Sequence, residues 1–334
     1  MTESVLVAMP VHDAWLARVR ERLPGGVVDC REPIRPGQRL PVAEIGERTV
    51  LFADHVPANA EDMPALRWIQ LGSAGYQQLA GRQLAAGVRV TNASGVNDVP
   101  IAEWCVLMML ALARRLPDSL RDQAERRWDR DVSYQSELRG RRVGIFGYGS
   151  IGREVARLCR ALGLEVWAVA RSGVEPRPHR YHPDDSLEEV RPDRGFAPAQ
   201  LDAFLRGLDV LAITSPLTPR TRGVFGAREL ALLPRHAVLL NPARAHVVDE
   251  SALLAALRDG TLAGAALDSH YREPMPPDDP FWTAPNTIVT PHVSGSTGST
   301  HFADRVWDLF ARNLDRYRTG APLLNEIDPA DWRH

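Results

Sequence analysis

Short apolar runs punctuate the N-terminal part of the chain: Val5–Met9, Val27–Asp29, Thr49–Ala53, Leu66–Leu71 and Val88–Thr91. Each has the length of a strand, and Trp15–Leu23, between the first two, has the spacing of a helix. Strands that alternate with helices imply a parallel sheet with helices on both faces. Between the fourth and fifth runs, Gly72-Ser73-Ala74-Gly75-Tyr76 is a small-residue turn leading into a helix, and its amides can hold an anion.

After Ser94-Gly95-Val96-Asn97 a long helix is expected from about Pro100 to about Leu116, because proline suits a first helical turn. It carries the chain from a first domain into a second. Ser119–Arg130 is charged and arginine-rich with Trp128 among the charges, the pattern of a solvated helix or of an arm reaching a partner subunit. Leu208–Thr214, Ala237–Asn241, Gly264–Asp268 and Thr287–Thr290 read as further strands, and Glu250–Asp259 as a helix. Gly173–Pro198, rich in Pro, Arg and Asp and without periodicity, reads as a long surface loop. The last helix, Thr300–Tyr317, has no strand of its own to cover, so it is expected to return to the first domain and leave a cleft between the two.

The stretch Arg142–Ser172 organises the second domain. Val143, Ile145 and Phe146 form a buried strand, and Gly147, Gly149 and Gly152 follow in the spacing G-x-G-x-x-G. Ile151, Val155, Leu158 and Leu162 then fall on one helical face with Arg153 and Glu154 off it, Gly163 stands at the C-cap, and Val166–Ala170 is a second strand. In such a unit the first glycine makes the turn, the second admits a pyrophosphate, the third lets helix pack on strand, and the helix N-terminus faces the anion. A nucleotide site is expected here.

Composition narrows the partners. The 334 residues suffice for two domains, and a net charge of −2 points to neither nucleic acid nor a membrane surface. There is no lysine, which excludes Schiff-base chemistry. Cys30, Cys105 and Cys159 are scattered and odd in number, favouring reduced thiols, no metal and a cytoplasmic location. Met1–Pro10 lacks the basic start of a signal peptide, and apolar Ile101–Ala113 is too short to span a bilayer and carries Glu103.

Three segments place ionisable side chains at or beyond strand ends: Asn241-Pro242-Ala243-Arg244, Tyr271-Arg272-Glu273-Pro274 and Thr290-Pro291-His292. In open α/β sheets ligands bind at that edge. An arginine clamps a carboxylate, a histidine passes a proton, and a glutamate fixes a histidine's tautomer and raises its pKa. The set suits hydride transfer to a 2-keto acid.

GYGSIG, SPLTPRTRGVF (Ser215–Phe225), NPARAHVVDESAL (Asn241–Leu253), GAALD (Gly264–Asp268), REP and TPHVSGST together resemble the D-isomer-specific 2-hydroxyacid dehydrogenase family, over about Leu66 to Thr300. The resemblance implies two doubly wound parallel-sheet α/β domains. A Rossmann cofactor domain, residues 100–294, is inserted in a flavodoxin-like substrate domain, 1–99 and 295–334. It gives Arg244 the substrate, Glu273 the partner role and His292 the acid/base role, with the amides of Ala74 and Gly75 on the substrate carboxylate. Cofactor contacts are expected from Gly147, Gly149, Ser150, Ile151 and Gly152, then from Ser215, Pro216 and Thr221, from Pro242 and Ala243, and from His292 and Asp268, the last near the nicotinamide carboxamide. A homodimer of the glyoxylate/hydroxypyruvate reductase type is implied.

The chain departs from the family pattern at informative places. Ala245-His246 follow the arginine where a glycine is usual, and Ser269-His270 replace an apolar pair, so His246 and His270 either line a polar cleft or lie on the surface. Where NAD enzymes end the second strand with an acid on the ribose 2′-hydroxyl, this chain has Ala170-Arg171-Ser172. Arg171 and Ser172 suit a 2′-phosphate, with Arg177 and Arg180 adding field, so NADPH is expected over NADH. Two alternatives stay open: a phosphite or phosphonate-related dehydrogenase of the same superfamily, which carries a lysine near the place of Ala74, and a dinucleotide-binding, corepressor-like protein.

Overall fold

In the computed structural model, which describes residues 3–131, 135–171, 173–184 and 190–329, the first apolar runs become strands β1 (Ser4–Ala8), β2 (Val27–Cys30), β3 (Val50–Ala53), β4 (Trp68–Leu71) and β5 (Arg89–Thr91). They pair in parallel in the order β2-β1-β3-β4-β5, the flavodoxin-like order. Val5, Val7, Val50, Phe52 and Trp68 point to one apolar layer, and Leu6, Ala8, Leu51, Ala53, Ile69 and Leu71 to the other. Burial on both faces is why these runs read as continuously apolar.

The Thr300–Thr319 helix covers the first layer. Phe310 stacks on Phe52 at 4.3 Å and on Trp68 at 5.4 Å, and Trp307 meets Phe52 edge-on at 5.2 Å. Such pairs add about 0.5–1.5 kcal/mol each beyond their burial.

By contact, this first unit comprises Met1–Val96, Arg177–Ser186 and Thr297–His334. The middle piece corrects the expectation of one surface loop over Gly173–Pro198. Tyr181 is 1% exposed within the first layer, and its hydroxyl donates to Asp308 Oδ2 at 3.1 Å. Gly95, at φ +99°, makes room for it, since a Cβ there would stand 2.4 Å from Tyr181 O. Later in the same stretch, Arg194–Phe196 is a strand whose Phe196 packs on Trp167 at 5.1 Å. A lone aromatic and a three-residue strand are too short to show a period, so composition alone spoke for a loop.

The second unit comprises Asn97–Pro176 and Leu187–Ser296. Its strands are β6 (Arg142–Phe146), β7 (Glu165–Val169), β8 (Arg194–Phe196), β9 (Val210–Ile213), β10 (Val238–Asn241), β11 (Gly264–Leu267) and β12 (Thr287–Val289), all parallel in the order β12-β11-β10-β9-β6-β7-β8. The order reverses between β6 and β9, which is where a Rossmann sheet takes its dinucleotide. The apolar helix Asp98–Ala113 buries Ala102, Cys105, Met109 and Leu112 against this unit, and among the described residues no helix is long and apolar enough to cross a membrane.

The buried face of one helix differs from the expected one. In Ser150–Ala161, Arg153 and Glu154 are 3% exposed while Leu162, just past the helix, is 37% exposed. The helix is covered by the Asp98–Ala113 helix as well as by the sheet, so its buried stripe is wider than one face. The charges are satisfied there: the Arg153 guanidinium lies 4.7 Å over the Tyr148 ring and donates to Glu175 O at 2.6 Å, and Glu154 accepts from Arg157 at 2.9 and 2.5 Å.

Candidate active site

The three glycines of the turn after β6 each meet a different constraint. Gly147 has φ +104°, and a Cβ on it would lie 2.7 Å from the Ser215 backbone. A Cβ on Gly152 would lie 2.5 Å from Gly147 O, so this glycine lets helix approach strand. Gly149 has nothing within 4 Å of the same position, leaving its backbone open to an approaching group. Ser150 and Ile151 start the helix beyond it, and Thr214 Oγ1 donates to Gly147 O at 2.7 Å to hold the turn. The buried Ser215 Oγ has no hydrogen-bond partner among the described residues. An open amide cradle at a helix N-terminus beside an orphaned hydroxyl fits a dinucleotide pyrophosphate.

The neighbouring loops are braced internally. Thr221 Oγ1 donates to Pro216 O at 2.7 Å, closing the turn after Ser215. Beyond β10, Asn241 Oδ1 accepts from Ala243 N at 3.1 Å and its Nδ2 donates to Arg244 O at 3.0 Å, so a buried asparagine shapes the Pro242–Arg244 turn. Arg244 is exposed and its Nη1 donates to Ala243 O at 2.7 Å. Ala245 after it is buried and starts a short 3₁₀ turn without a positive φ, so no glycine is required there.

His292 and Glu273, 19 residues apart, come together. His292 Nδ1 lies 3.1 Å from Glu273 Oε1 and 3.0 Å from Oε2, and the His270 amide donates to Oε1 at 2.9 Å. A carboxylate only accepts, so Nδ1 carries its hydrogen toward Glu273 and Nε2 is left as the nitrogen that exchanges a proton. Partial burial pushes the Glu273 carboxyl up, but the His292 hydrogen bond, the His270 amide and the charges of the two histidines outweigh it and hold it below the usual 4.5.

Beside this pair, Asp268 is fully buried, and its carboxylate accepts from Thr290 Oγ1 and from the amides of Val293 and Ser294. His270 Nε2 lies 2.8 Å from Thr290 O. His246 is exposed and meets the Tyr271 ring edge-on at 5.5 Å. The bracing by Thr290, His270 and Trp104, whose Nε1 donates to Thr290 Oγ1 at 3.2 Å, was not foreseen from the sequence. Only the place of Thr290 just before Pro291-His292 hinted at it.

At the end of β7, Ala170 is buried and Arg171 exposed, while Ser172 lies outside the described residues. Arg177 and Arg180 belong to the piece that joins the first unit. In that unit the turn after β4 has its carbonyls engaged: Asn92 Nδ2 donates to Ala74 O at 2.7 Å, and Ser73 Oγ to Gly75 O at 3.1 Å. The Ala74 and Gly75 amides donate to no other described residue.

Residues 106–294 match the family model described as the NAD-binding domain of D-isomer specific 2-hydroxyacid dehydrogenases. A glyoxylate reductase of Korarchaeum cryptofilum is 30% identical over 331 residues, 96% of this chain and 94% of that protein. A D-3-phosphoglycerate dehydrogenase of Archaeoglobus fulgidus is 33% identical over 251 residues, 74% of this chain but 45% of that longer protein. Among solved structures, an NADPH-dependent glyoxylate/hydroxypyruvate reductase of Sinorhizobium meliloti, in complex with NADP and sulfate, superposes with a TM-score of 0.73 at 26% identity, covering 98% of each chain.

Proposed function

The chain belongs to the D-isomer specific 2-hydroxyacid dehydrogenase family, and from that premise we propose that it is an NADPH-preferring reductase of small 2-keto acids of the glyoxylate/hydroxypyruvate type. The observation that carries the reading is the His292–Glu273 pair, which leaves Nε2 to exchange a proton in the same unit as the glycine turn. When bound, a nicotinamide dinucleotide supplies a hydride to the carbonyl carbon. His292, protonated at Nε2, gives that proton to the carbonyl oxygen, and the product is the 2-hydroxy acid. Glu273 stays ionised and keeps the ring in its working tautomer. Arg244 holds the substrate and offsets the charge developing on oxygen. In the first unit, taken by itself, the Ala74 and Gly75 amides, which donate to no other described residue, suit a carboxylate.

Cofactor preference follows from the end of β7. Ala170 offers no acid to repel a 2′-phosphate, and exposed Arg171 is available to bind one. The NADP complex of the similar reductase supports this reading. We also infer a homodimer. Leu107, Leu110, Leu116 and Leu120 are 41–56% exposed and Trp128 is 88% exposed, an apolar surface that a second copy would cover. The free thiols Cys30, Cys105 and Cys159 suit a reducing compartment such as the cytoplasm.

Oxidation of NADPH and of NADH is measured with glyoxylate, hydroxypyruvate and larger 2-keto acids. One charge-assisted bond contributes about 1.5–3 kcal/mol, so kcat/KM is expected to favour NADPH by about tenfold or more. Arg171→Ala should raise KM for NADPH much more than for NADH. Equal specificity constants would remove Arg171 from phosphate reading, and no turnover with any acid would leave only a dinucleotide-binding protein.

A further inference from the structure

His292 has φ +57°, in the left-handed region that a non-glycine residue keeps only when its surroundings fix it. Asp268, at the end of β11 and 0% exposed, touches the chain on both sides of it. Before the histidine, Thr290 Oγ1 donates to Asp268 Oδ1 at 2.5 Å. After it, Val293 N donates to Oδ1 and Ser294 N to Oδ2, each at 2.9 Å. Thr290 is pinned a second time through Trp104 Nε1 and His270 Nε2.

We infer that Asp268 is a positioning residue: by holding Thr290, Val293 and Ser294 at once, it fixes the backbone turn that aims His292 Nδ1 at Glu273. The inference rests on the reading of His292 as the acid/base and goes beyond the role that the resemblance gives this aspartate, a place near the nicotinamide carboxamide. Three donors already converge on the carboxylate, and a buried carboxylate with its donors in place is costly to disturb. An asparagine of the same shape has one acceptor oxygen, and its amide nitrogen would face a donor. At least one of the three links must break, and the turn loses its reason to stay left-handed.

The test uses Asp268→Asn and Thr290→Val in the full chain. In cofactor-free protein, Asp268→Asn is expected to speed hydrogen exchange at the Val293 and Ser294 amides by about tenfold or more, with β6 and β9 unchanged. Turnover is then compared between the reduced dinucleotide and its 3-acetylpyridine analogue, which lacks the carboxamide nitrogen. A misplaced acid/base costs about 10- to 100-fold in kcat, and the same factor is expected with both dinucleotides. Thr290→Val, which breaks one link without touching a charge, should show the same pattern at smaller size and carries the test if Asp268→Asn does not fold. A loss of kcat confined to the carboxamide-bearing dinucleotide would overturn the inference. So would unchanged exchange at residues 293 and 294, or exchange that rises throughout the second unit. If the unmodified chain turns over no 2-keto acid, the reductase reading fails by itself, and the exchange measurement still decides whether Asp268 holds the turn.

Discussion

Replacing Glu273 by glutamine keeps the shape of the proposed acid/base pair and removes one charge from it. The carboxylate oxygens lie 3.0 and 3.1 Å from His292 Nδ1, close enough for a full ion pair when the ring is charged. Both side chains are 42% exposed, so water screens them strongly. At an effective dielectric constant of about 40–80, unit charges 3.0 Å apart attract by about 1.4–2.8 kcal/mol. That attraction helps hold the charged ring in place, and it is lost in Glu273→Gln. The tautomer is also less firmly held, and kcat on the plateau should fall by about tenfold or more. The acid side follows from the Glu273 carboxyl, which the His292 bond and the His270 amide hold below its usual value in spite of partial burial. A depressed carboxylate contributes stability above its unfolded pKa and loses it as pH falls through the folded value. The pair is therefore intact through neutral and mildly acid pH, and its contribution disappears only below the ordinary carboxylate range. The assay is kcat and kcat/KM for keto-acid reduction from about pH 5 to about pH 10, at saturating dinucleotide. A glutamine variant with wild-type kcat across that range would refute the assignment of Glu273 as the partner of His292.

His292→Ala should lower kcat by about 10²–10⁴ with little change in dinucleotide affinity, and near-normal turnover would transfer the acid/base role to His270. Sedimentation of the 37.0 kDa chain should show a dimer, and Leu120→Glu with Trp128→Glu should shift it toward monomer; a monomer as the only species in a concentrated sample would exclude the dimer. Asp54, at the end of β3, has its carboxyl pushed up by burial, with His55 offsetting part of the effect. Its charged form therefore costs stability, which falls as pH rises from the unfolded to the raised folded pKa. Asp54→Asn should melt at or above the wild-type temperature at neutral pH and converge with it in acid, whereas a clearly lower Tm at neutral pH would contradict this.

What was legible in the sequence is what short stretches specify by themselves. Apart from β8, the strands of both sheets announce themselves as apolar runs, because the central strands of a parallel sheet are buried on two faces. Gly147, Gly149 and Gly152 mark the turn, because each meets a backbone constraint that only glycine or open space satisfies. Glu273 and His292 stand out because their segments follow strand ends, where loops of an α/β sheet converge.

The tertiary structure decided whatever depends on a partner remote in the chain. Arg153 looks like a solvated helix position until the carbonyl of Glu175, 22 residues further on, receives its guanidinium. Tyr181 looks like part of a loop until Asp308 and the C-terminal helix receive it. The backbone of His292 could not be read as left-handed, because nothing in Thr-Pro-His favours that conformation locally. It is fixed by Asp268, a residue 22 positions before Thr290, whose buried carboxylate needs donors and finds them on both sides of the histidine. Periodicity and turn chemistry act between near neighbours, so a single sequence displays them; desolvation and hydrogen-bond satisfaction act between whatever residues folding brings together, and only the folded chain sets those pairs.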